Sequence, residues 1–334
     1  MVNHTSNPTQ PKLSQVTVIG DAGVDIIIQL PKSQDQATSF NIIRPILSPG
    51  GTAGNTSLSL ARLGHDVTMF FAIGSDSYGK YLLRALEDAN VSTEHVHVSQ
   101  DHFTLHVNVI IDHLGERHFA GNPYGNWASV YYPPDKVSHE AIAKSSWLHT
   151  TGNSFDRGTT PQSTIRSMTI AKQHKIPISL DLNLRDPNNQ LPNQYKHAIS
   201  EAIELADYVL GSADDEIALY TQIDDRSKAA LALSAGKRTV ISRLGSNGCL
   251  VATPSGKITK IPSYKVKVVD TLGAGDSYNA GFISAKLDGA STIEAARRGN
   301  AIAALCVASE GVTQRITRDS LNTLMATQNL KIPA

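Results

Sequence analysis

A glycine-rich turn that carries a carboxylate is the part of the sequence best suited to chemistry. The segment VVDTLGAGDS is a β-branched run followed by Gly273, Ala274, Gly275 and Asp276, and it leads into a helical pattern. The first amides of a helix have no intrahelical partner and can bind an anion, while glycines let a ligand approach the backbone closely. The turn therefore predicts a phosphate site with the carboxylate of Asp276 beside it. Alternatively, Asp276 is only the N-cap of the helix.

The rest of the chain predicts elements that would hold this turn at the edge of a sheet. Short β-branched runs alternate with helical patterns, which indicates βαβ units and a central, mostly parallel sheet flanked by helices. We expect an α/β fold in which residues 1–334 form a single domain. The predicted strands are 16–19, 67–73, 178–182, 208–210 and 239–242, and the predicted helices include 81–90 and 277–286.

Two stretches depart from this alternation and predict a small β-sheet lid. In residues 104–119 apolar and polar side chains alternate, and residues 25–47 contain a polar interruption. Both patterns are typical of antiparallel strands with one wetter face. We expect a lid formed by about 25–47 and 104–126 over the edge of the main sheet. Because such a lid exposes apolar strand faces, a homodimer joined lid to lid is expected.

Composition limits the partners of the protein. Lys plus Arg and Asp plus Glu number 30 each, so there is no broad basic field for nucleic acid or anionic lipid. No apolar run approaches the roughly 20 residues that cross a bilayer, and the N-terminus lacks the apolar core of a secretory signal. Cys249 and Cys306 lie in apolar runs, which suggests reduced thiols. We expect a cytoplasmic protein that binds neither nucleic acid nor membrane.

Two motifs taken together resemble the ribokinase-like (PfkB) carbohydrate kinases. DTLGAGD at 270–276 resembles the C-terminal signature of that family, and GGTAGN at 50–55, followed by ARLG at 61–64, resembles the N-terminal one. Both stand in the family's order, and the resemblance extends from Ile19 to about Arg318. It implies a ribokinase-like fold and ATP-dependent phosphorylation of a hydroxyl on a ketose or related carbohydrate.

The resemblance implies a role for each residue of the glycine-rich turn. Asp276 would be the general base that accepts the hydroxyl proton. Backbone amides matching Gly273, Ala274 and Gly275 would stabilise the transferred phosphoryl group.

Sugar recognition is implied at the first strand and at the N-terminal signature. GDAGVD resembles the family's first strand end, so Asp25 would bind sugar hydroxyls. Asn55 would bind the same sugar from the side, and Gly50 and Gly51 would allow close approach; Asn55 could instead be a helix N-cap. Gly23 stands where relatives often carry Asn.

Two further segments are implied as ligands of charged groups. DLNLR at 181–185 resembles the Asp-x-Asn-x-Arg stretch of fructokinase-like and ketodeoxygluconate kinase-like branches, so Arg185 would meet phosphate or an acidic sugar group. The alternative is an exposed loop arginine. ADDE resembles the family's Asn-x-x-Glu motif, in which Glu216 would orient water around Mg²⁺, although Ala213 replaces the Asn.

Nucleotide and cation sites are also implied by the resemblance. RLGSNG at 243–248 resembles the loop that follows the adenosine phosphates, and Asn300 falls near the position that lines the adenine pocket, although it could simply face solvent. Asp270 and nearby carbonyls would bind a monovalent cation such as K⁺. The implied nucleotide ligands are Arg243, Gly245, Ser246, Gly248 and Asn300.

The sequence also offers alternatives to a sugar kinase. A nucleoside kinase would share the fold and both signatures, but the Asp-x-Asn-x-Arg stretch favours a ketose or sugar acid. A catalytically silent sugar-binding regulator is disfavoured by the intact Asp276. The P-loop-like segment GSDSYGKY at 74–81 lacks the final Ser or Thr. The histidines between residues 95 and 118 form no tight ligand pair of the kind zinc requires.

Overall fold

The computed structural model describes residues 14–30, 44–112, 117–121, 125–184, 191–309, 316–328 and 330. The strands are β1 (Gln15–Ile19), β2 (Gly23–Gln29), β3 (Ile46–Gly50), β4 (Asp66–Gly74), β5 (Val91–Ser92), β6 (Val96–Ser99), β7 (His106–Ile111), β8 (Arg117–Ala120), β9 (Trp147–Thr151), β10 (Ile178–Asp181), β11 (Tyr208–Ser212), β12 (Thr239–Arg243), β13 (Cys249–Ala252) and β14 (Ile258–Ile261). The helices are α1 (Thr52–Arg62), α2 (Ser77–Asp88), α3 (His139–Ala143), α4 (Thr160–Gln173), α5 (Asn193–Leu205), α6 (Leu219–Thr221), α7 (Arg226–Ser234), α8 (Ala274–Leu287), α9 (Thr292–Val307) and α10 (Arg318–Thr327).

The main sheet follows the order β14-β13-β12-β11-β10-β9-β1-β4-β5, with β6 also paired to β4. Its neighbours from β12 to β4 run parallel, and β13 and β14 are antiparallel additions at one edge. The predicted, mostly parallel sheet is therefore confirmed. The helix predicted over 81–90 is the second half of α2, which starts earlier because the Asp76 side chain accepts a hydrogen bond from the Gly79 amide.

Both faces of the main sheet are covered, and nearly every residue of β1, β9, β10 and β12 is therefore buried. Alternate residues of β1 enter different layers of core. Val18 packs in the layer that contains α1, α8 and α9, whereas Ile19 packs in the layer that contains α4 and α5. Each strand thus buries side chains in both directions, and the helices hold the strand ends in fixed positions.

A second sheet, which we call the lid, has the order β3-β2-β7-β8. The expectation of a small separate sheet is confirmed, although residues 31–43, 113–116 and 122–124 of the predicted lid lie outside the described residues. The β2–β3 and β7–β8 pairs are antiparallel as predicted, but β2 and β7 run parallel, contrary to the prediction. The two strands are not consecutive in the chain, so no hairpin forces them into opposite directions.

The carboxyl ends of β1, β9, β10, β11 and β12 lie at one edge of the main sheet, because these strands are parallel neighbours. Ligands of open α/β sheets bind at this edge. The polar residues at or just after these strand ends are Asp21, Thr151, Asp181, Ser212 and Arg243.

Candidate active site

The glycine-rich turn opens α8, as its sequence predicts. Gly273 is the N-cap with a φ of 70°, and no side chain caps the helix. The amide of Ser277 donates to the carbonyl of Gly273 over 2.8 Å, so the amides of Gly275 and Asp276 precede this intrahelical bond. Asp276 lies in the first turn rather than at the cap, and the N-cap interpretation of this residue is wrong.

Asp276 is a buried carboxylate with one neutral donor. Its Oδ2 atom accepts a hydrogen bond from Nδ2 of Asn55 over 2.9 Å, and the residue is 7% exposed. Burial raises the pKa of Asp276 to about 7; repulsion from Asp181 and Asp21 adds to the rise, while the Asn55 bond and Arg243 oppose it. A pKa near neutrality suits a general base.

Asn55 reaches Asp276 from the first turn of α1. That helix begins at Thr52 and its N-cap is Gly51, so the N-cap interpretation of Asn55 is also wrong. The Oδ1 atom of Asn55 is buried and has no hydrogen-bond partner among the described residues. A buried amide oxygen normally accepts a hydrogen bond, which leaves this atom suited to a ligand hydroxyl.

The N-terminus of α1 is held by Asp21, a residue that the sequence analysis did not single out. Its carboxylate accepts hydrogen bonds from the Thr52 amide over 3.0 Å, the Thr52 hydroxyl over 2.7 Å and the Thr151 hydroxyl over 3.2 Å. Negative charge at a helix N-terminus is favourable. Asp21 therefore fixes α1, and with it Asn55, from the end of a neighbouring strand.

Asp25 lies on β2 beside the segment that leads into α1. A Cβ atom at Gly50 would lie 2.7 Å from Oδ2 of Asp25, and one at Gly51, where φ is 84°, would lie 2.7 Å from Cα of Ala22. Both glycines are therefore needed for this close packing. Asp25 and Gly50 are thus neighbours across the β2–β3 pair, and Gly51 and Asn55 follow at the start of α1. Their roles in sugar binding remain predictions.

Arg243 differs from its predicted role as a nucleotide ligand, because its guanidinium group turns into the protein. Nη2 donates to Oδ1 of Asp181 over 2.7 Å and Nη1 donates to Oδ2 over 3.1 Å. Nη1 also donates to Oδ1 of Asn279 over 3.0 Å and to the carbonyl oxygen of Gly275 over 3.4 Å. Although burial opposes it, the charges of Asp181 and Glu216 raise the pKa of Arg243.

Glu216 lies on the other side of the same guanidinium group. Its Oε2 atom is 3.5 Å from Nη2 of Arg243 and accepts a hydrogen bond from the Ser212 amide over 2.9 Å. Burial and the charge of Asp181 raise the pKa of Glu216. No group of three or more His, Cys, Asp or Glu side chains that could hold a metal ion occurs among the described residues.

Asp181 and Asn279 belong to this site although no role was predicted for them. Nδ2 of Asn279 donates to Oδ2 of Asp181 over 2.7 Å, and both side chains are buried. A signal for Asn279 was available, since it follows Asp276 by three residues and must share its helix face. No local signal indicated that Asp181 would face α8.

The loop after β12 has the tight geometry predicted for it. Gly245 and Gly248 have φ values of 56° and 89°, and a Cβ atom at Gly248 would lie 1.9 Å from the carbonyl oxygen of Ile261. Ser246 is exposed between them. This loop leaves the sheet directly after Arg243, at the edge that carries Asp276.

The remaining predicted ligands divide into three cases. Asn300 is buried rather than facing solvent, and its Nδ2 donates to the carbonyl oxygens of Ile261 over 3.3 Å and Pro262 over 3.1 Å. Asp270 is buried, and its Oδ1 accepts a hydrogen bond from the Leu272 amide over 2.8 Å. Arg185 lies outside the described residues.

Comparison with known proteins shows which family the chain belongs to. The model of the "pfkB family carbohydrate kinase" matches residues 13–318. The chain belongs to the pfkB family of carbohydrate kinases. A family member similar to it is the 5-dehydro-2-deoxygluconokinase of Bacillus subtilis (strain 168), 22% identical over 325 residues that cover 96% of this chain and 98% of the relative.

Solved structures of pfkB-type kinases show the same fold. A fructokinase from Xylella fastidiosa with bound ATP has a TM-score of 0.82 and 20% identity, covering 95% of this chain and 99% of that one. A fructokinase double mutant from Vibrio cholerae O395, solved with fructose, ADP and potassium ion, has a TM-score of 0.77 and 25% identity, covering 93% and 98% of the two chains. The ribokinase-like fold predicted from the two signatures is confirmed.

Proposed function

We propose that this pfkB family member transfers a phosphoryl group from ATP to a hydroxyl of a small sugar, a ketose or a related carbohydrate. One observation carries the proposal. A buried carboxylate with a pKa raised to about 7 lies in the first turn of a helix whose opening amides can bind an anion, and an amide side chain from another helix reaches it.

Asp276 is the general base in this proposal. The sugar hydroxyl gives its proton to Asp276 while the hydroxyl oxygen attacks the terminal phosphorus of ATP in line; the bond from that phosphorus to ADP breaks and ADP leaves. The amides of the turn from Gly273 to Gly275 stabilise the charge of the transferred group. Asn55 contacts both the base and the sugar in this proposal. Its Nδ2 donates to Asp276, and its Oδ1, which has no hydrogen-bond partner among the described residues, would accept from a sugar hydroxyl.

Asp25 is the second sugar ligand in this proposal. A carboxylate accepts hydrogen bonds from two neighbouring hydroxyls, which suits a vicinal diol. Gly50 and Gly51 let the backbone pack closely against Asp25 and Ala22, which would hold the Asp25 carboxylate beside the start of α1. Arg185 remains a predicted ligand of phosphate or of an acidic sugar group.

ATP and Mg²⁺ are the co-reactants that this chemistry requires, and the residues present fit them. The loop of Gly245, Ser246 and Gly248 would follow the phosphates at the edge that carries Asp276, and Asn300 remains the proposed residue of the adenine pocket. Glu216 lies beside the Arg243 guanidinium group, whose charge Asp181 already neutralises. The pKa of Glu216 is raised, and a nearby divalent cation would lower it by favouring the carboxylate. Glu216 would hold Mg²⁺ through water, and the metal would neutralise phosphate charge.

A monovalent cation site is proposed at Asp270. The amides of Val269 and Asp270 both donate to the carbonyl oxygen of Val307, over 2.7 and 3.1 Å, which draws this segment against the end of α9. Oδ1 of Asp270 accepts a hydrogen bond from the Leu272 amide over 2.8 Å, which fixes the carboxylate at the start of the glycine-rich turn. A K⁺ ion bound by the carboxylate and neighbouring carbonyls would steady the turn that follows.

We also propose that the protein is a homodimer joined through its lids. Ile46, Ile27, Val109 and Phe119 are register partners across all four lid strands and so share one face. Ile46 and Phe119, on the two outer strands, are 61% and 59% exposed, whereas Val109 between them is buried. Asp25 lies on the same face as Ile27, two residues earlier, so a second lid packed here would also help to close the sugar site.

The remaining predictions concern the chain as a whole. We propose that residues 1–334 form one kinase domain with a lid, and that it works in the cytoplasm. Cys249 and Cys306 are buried and form no disulfide among the described residues, as expected for reduced thiols. Among the described residues no helix is long and apolar enough to span a membrane.

The proposed reaction is tested by measuring ADP release from Mg-ATP with a panel of ketoses, aldoses, sugar acids and nucleosides. We expect at least one sugar to raise ADP release well above the rate with water alone, and phosphorylated sugar to appear in equal amount. Release with nucleosides alone would favour a nucleoside kinase of the same fold. No release with any acceptor would contradict the proposal.

A further inference from the structure

The side chains of Asp181, Arg243 and Asn279 form one hydrogen-bonded group, which we call the α8 clamp. They come from the ends of two strands and from α8. Asp181 contacts both other members, and Arg243 contacts Asn279 and the carbonyl oxygen of Gly275 as well. The clamp thus reaches the glycine-rich turn and the helix face of Asp276 at once.

We propose, assuming the sugar kinase function above, that the α8 clamp positions the first turn of α8 for catalysis. Arg243 is then a positioning residue that acts through the turn and the base, not a ligand of the nucleotide.

The contacts of the guanidinium group leave it little freedom to reach a nucleotide. Three of its four bonds go to side chains, two of them in a bidentate pair with Asp181, and that carboxylate is 1% exposed. Withdrawing Arg243 would leave Asp181 as an unpaired buried charge, which is strongly unfavourable. The arrangement is therefore fixed before substrates bind.

The α8 clamp contacts the turn at which the negative charge of the transferred phosphoryl group would be stabilised. Asn279 lies three residues after Asp276 on the same helix face. Its bonds to Asp181 and Arg243 therefore hold the part of α8 that carries the base. A Cβ atom at Gly275 would lie 3.3 Å from Nη1 of Arg243, so the guanidinium group lies directly behind the anion-binding turn. Small displacements of reacting groups cost large factors in rate, about a hundredfold for 1 Å.

Arg243 also affects the ionisation of Asp276 through its charge. Asn55 of α1, Asp21 after β1, Asp181 of β10 and Arg243 of β12 act on its carboxyl group. Two of these are anions that favour the protonated form, one is a neutral amide, and Arg243 is the single cation among them. Without Arg243, the base would be protonated over a wider range of pH.

The test compares Arg243→Met, Arg243→Lys and Asn279→Ala with Arg238→Met as a matched control. Arg238 is a second buried arginine, just before β12 at the opposite end from Arg243, where it binds Glu204 over 2.7 Å. Its loss should lower the melting temperature without changing kcat. For each variant we would measure kcat, the KM for ATP, and the titration midpoint of the Asp276 carboxyl band by infrared difference spectroscopy, the band being identified by its loss in Asp276→Asn.

Arg243→Met should lower kcat by about 10-fold to 100-fold with little change in the KM for ATP, and should move the carboxyl midpoint to higher pH. Arg243→Lys should restore that midpoint and part of kcat, because it keeps the charge and loses the bidentate geometry. Asn279→Ala, which removes no charge, should lower kcat by about 10-fold and leave the midpoint in place.

Other results would overturn the proposal. A raised KM for ATP at unchanged kcat in Arg243→Met would make Arg243 a nucleotide ligand, and an unmoved carboxyl midpoint would remove its charge role. If Arg243→Met does not fold, unchanged kcat in Asn279→Ala is sufficient to reject the clamp. If the wild-type protein phosphorylates no acceptor, the sugar kinase function fails, and the infrared midpoints still decide whether Arg243 controls Asp276.

Discussion

Nδ2 of Asn55 donates a 2.9 Å hydrogen bond to Oδ2 of Asp276 across 221 positions of sequence. The two residues lie in the first turns of α1 and α8, so two helix N-termini meet at one carboxylate. This bond joins the two family signatures in space. It also places an amide oxygen with no described partner beside the proposed base.

Asn55→Ala should weaken sugar binding and raise the pKa of Asp276 further. The variant loses a donor that favours the ionised carboxylate and an acceptor for the sugar. We expect kcat/KM for the sugar to fall by about 10-fold to 100-fold, with the acid limb of its pH profile moved to higher pH. Ser57→Ala is the control, since the Ser57 hydroxyl donates to the Ala53 carbonyl within α1 over 2.8 Å and makes no other hydrogen bond in the part of the chain that the structure describes. A profile that does not move would show that the bond to Asp276 is unimportant.

Asp276→Asn should stabilise the folded protein more at pH 8 than at pH 5. Burial raises the pKa of Asp276 from 3.8 to about 7, so between these values the folded state holds a proton that the unfolded state has released. The stability contributed by the buried, protonated form is therefore present at low pH and lost as pH rises through the folded pKa. The amide of the variant does not titrate, so the free energy of unfolding of Asp276→Asn should exceed that of the wild type by an amount that grows with pH to roughly a few kcal/mol. Urea denaturation of both proteins at several pH values measures this difference, and an equal difference at all pH values would contradict the raised pKa.

Gly248→Ala should disrupt the proposed nucleotide loop. Its Cβ atom would meet the Ile261 carbonyl oxygen at 1.9 Å, so backbone must shift. We expect a lower melting temperature and a KM for ATP raised by about 10-fold or more. Gly256→Ala is the matched control, because Gly256 has a similar φ of 82° with nothing within 4 Å of the added atom. Equal effects of the two substitutions would mean that backbone strain alone, and not the loop contact, matters.

Phe119→Glu should separate the proposed dimer. Phe119 ends the apolar row of the lid, and a charge there would have to be buried against a second lid. Sedimentation velocity should show a dimer for the wild type and a monomer for the variant. Val98→Glu is a control, since Val98 is exposed on β6, outside the lid. A monomeric wild type would refute the lid-to-lid contact.

The alternating pattern of strands and helices predicted five strands of the main sheet, namely β1, β4, β10, β11 and β12, because short β-branched runs mark them. It did not predict β5, β6, β9, β13 and β14. The two signatures predicted the turn at Asp276 and the amide of Asn55, since both depend on short contiguous segments. Residues that act from distant elements had no such signal. Asp21 fixes α1 from the end of β1, and its role depends on the sheet edge rather than on its neighbours in sequence.

Arg243 is a second residue whose contacts could not be predicted from its neighbours in sequence. A loop motif predicted that it would follow the nucleotide phosphates, yet the strand end points its side chain toward Asp181, 62 positions earlier. Two carboxylates and an amide compete for the guanidinium group, and a buried bidentate pair is the arrangement that leaves the least charge uncompensated. Sequence spacing carries no information about that competition.

The most direct test of the central claim is the turnover of Asp276→Asn with Mg-ATP and the best acceptor of the panel, alongside calorimetric binding of Mg-ATP. We expect kcat to fall by about a hundredfold or more while folding and Mg-ATP binding persist. Turnover within a few-fold of the wild type would show that this carboxylate does not activate the sugar hydroxyl.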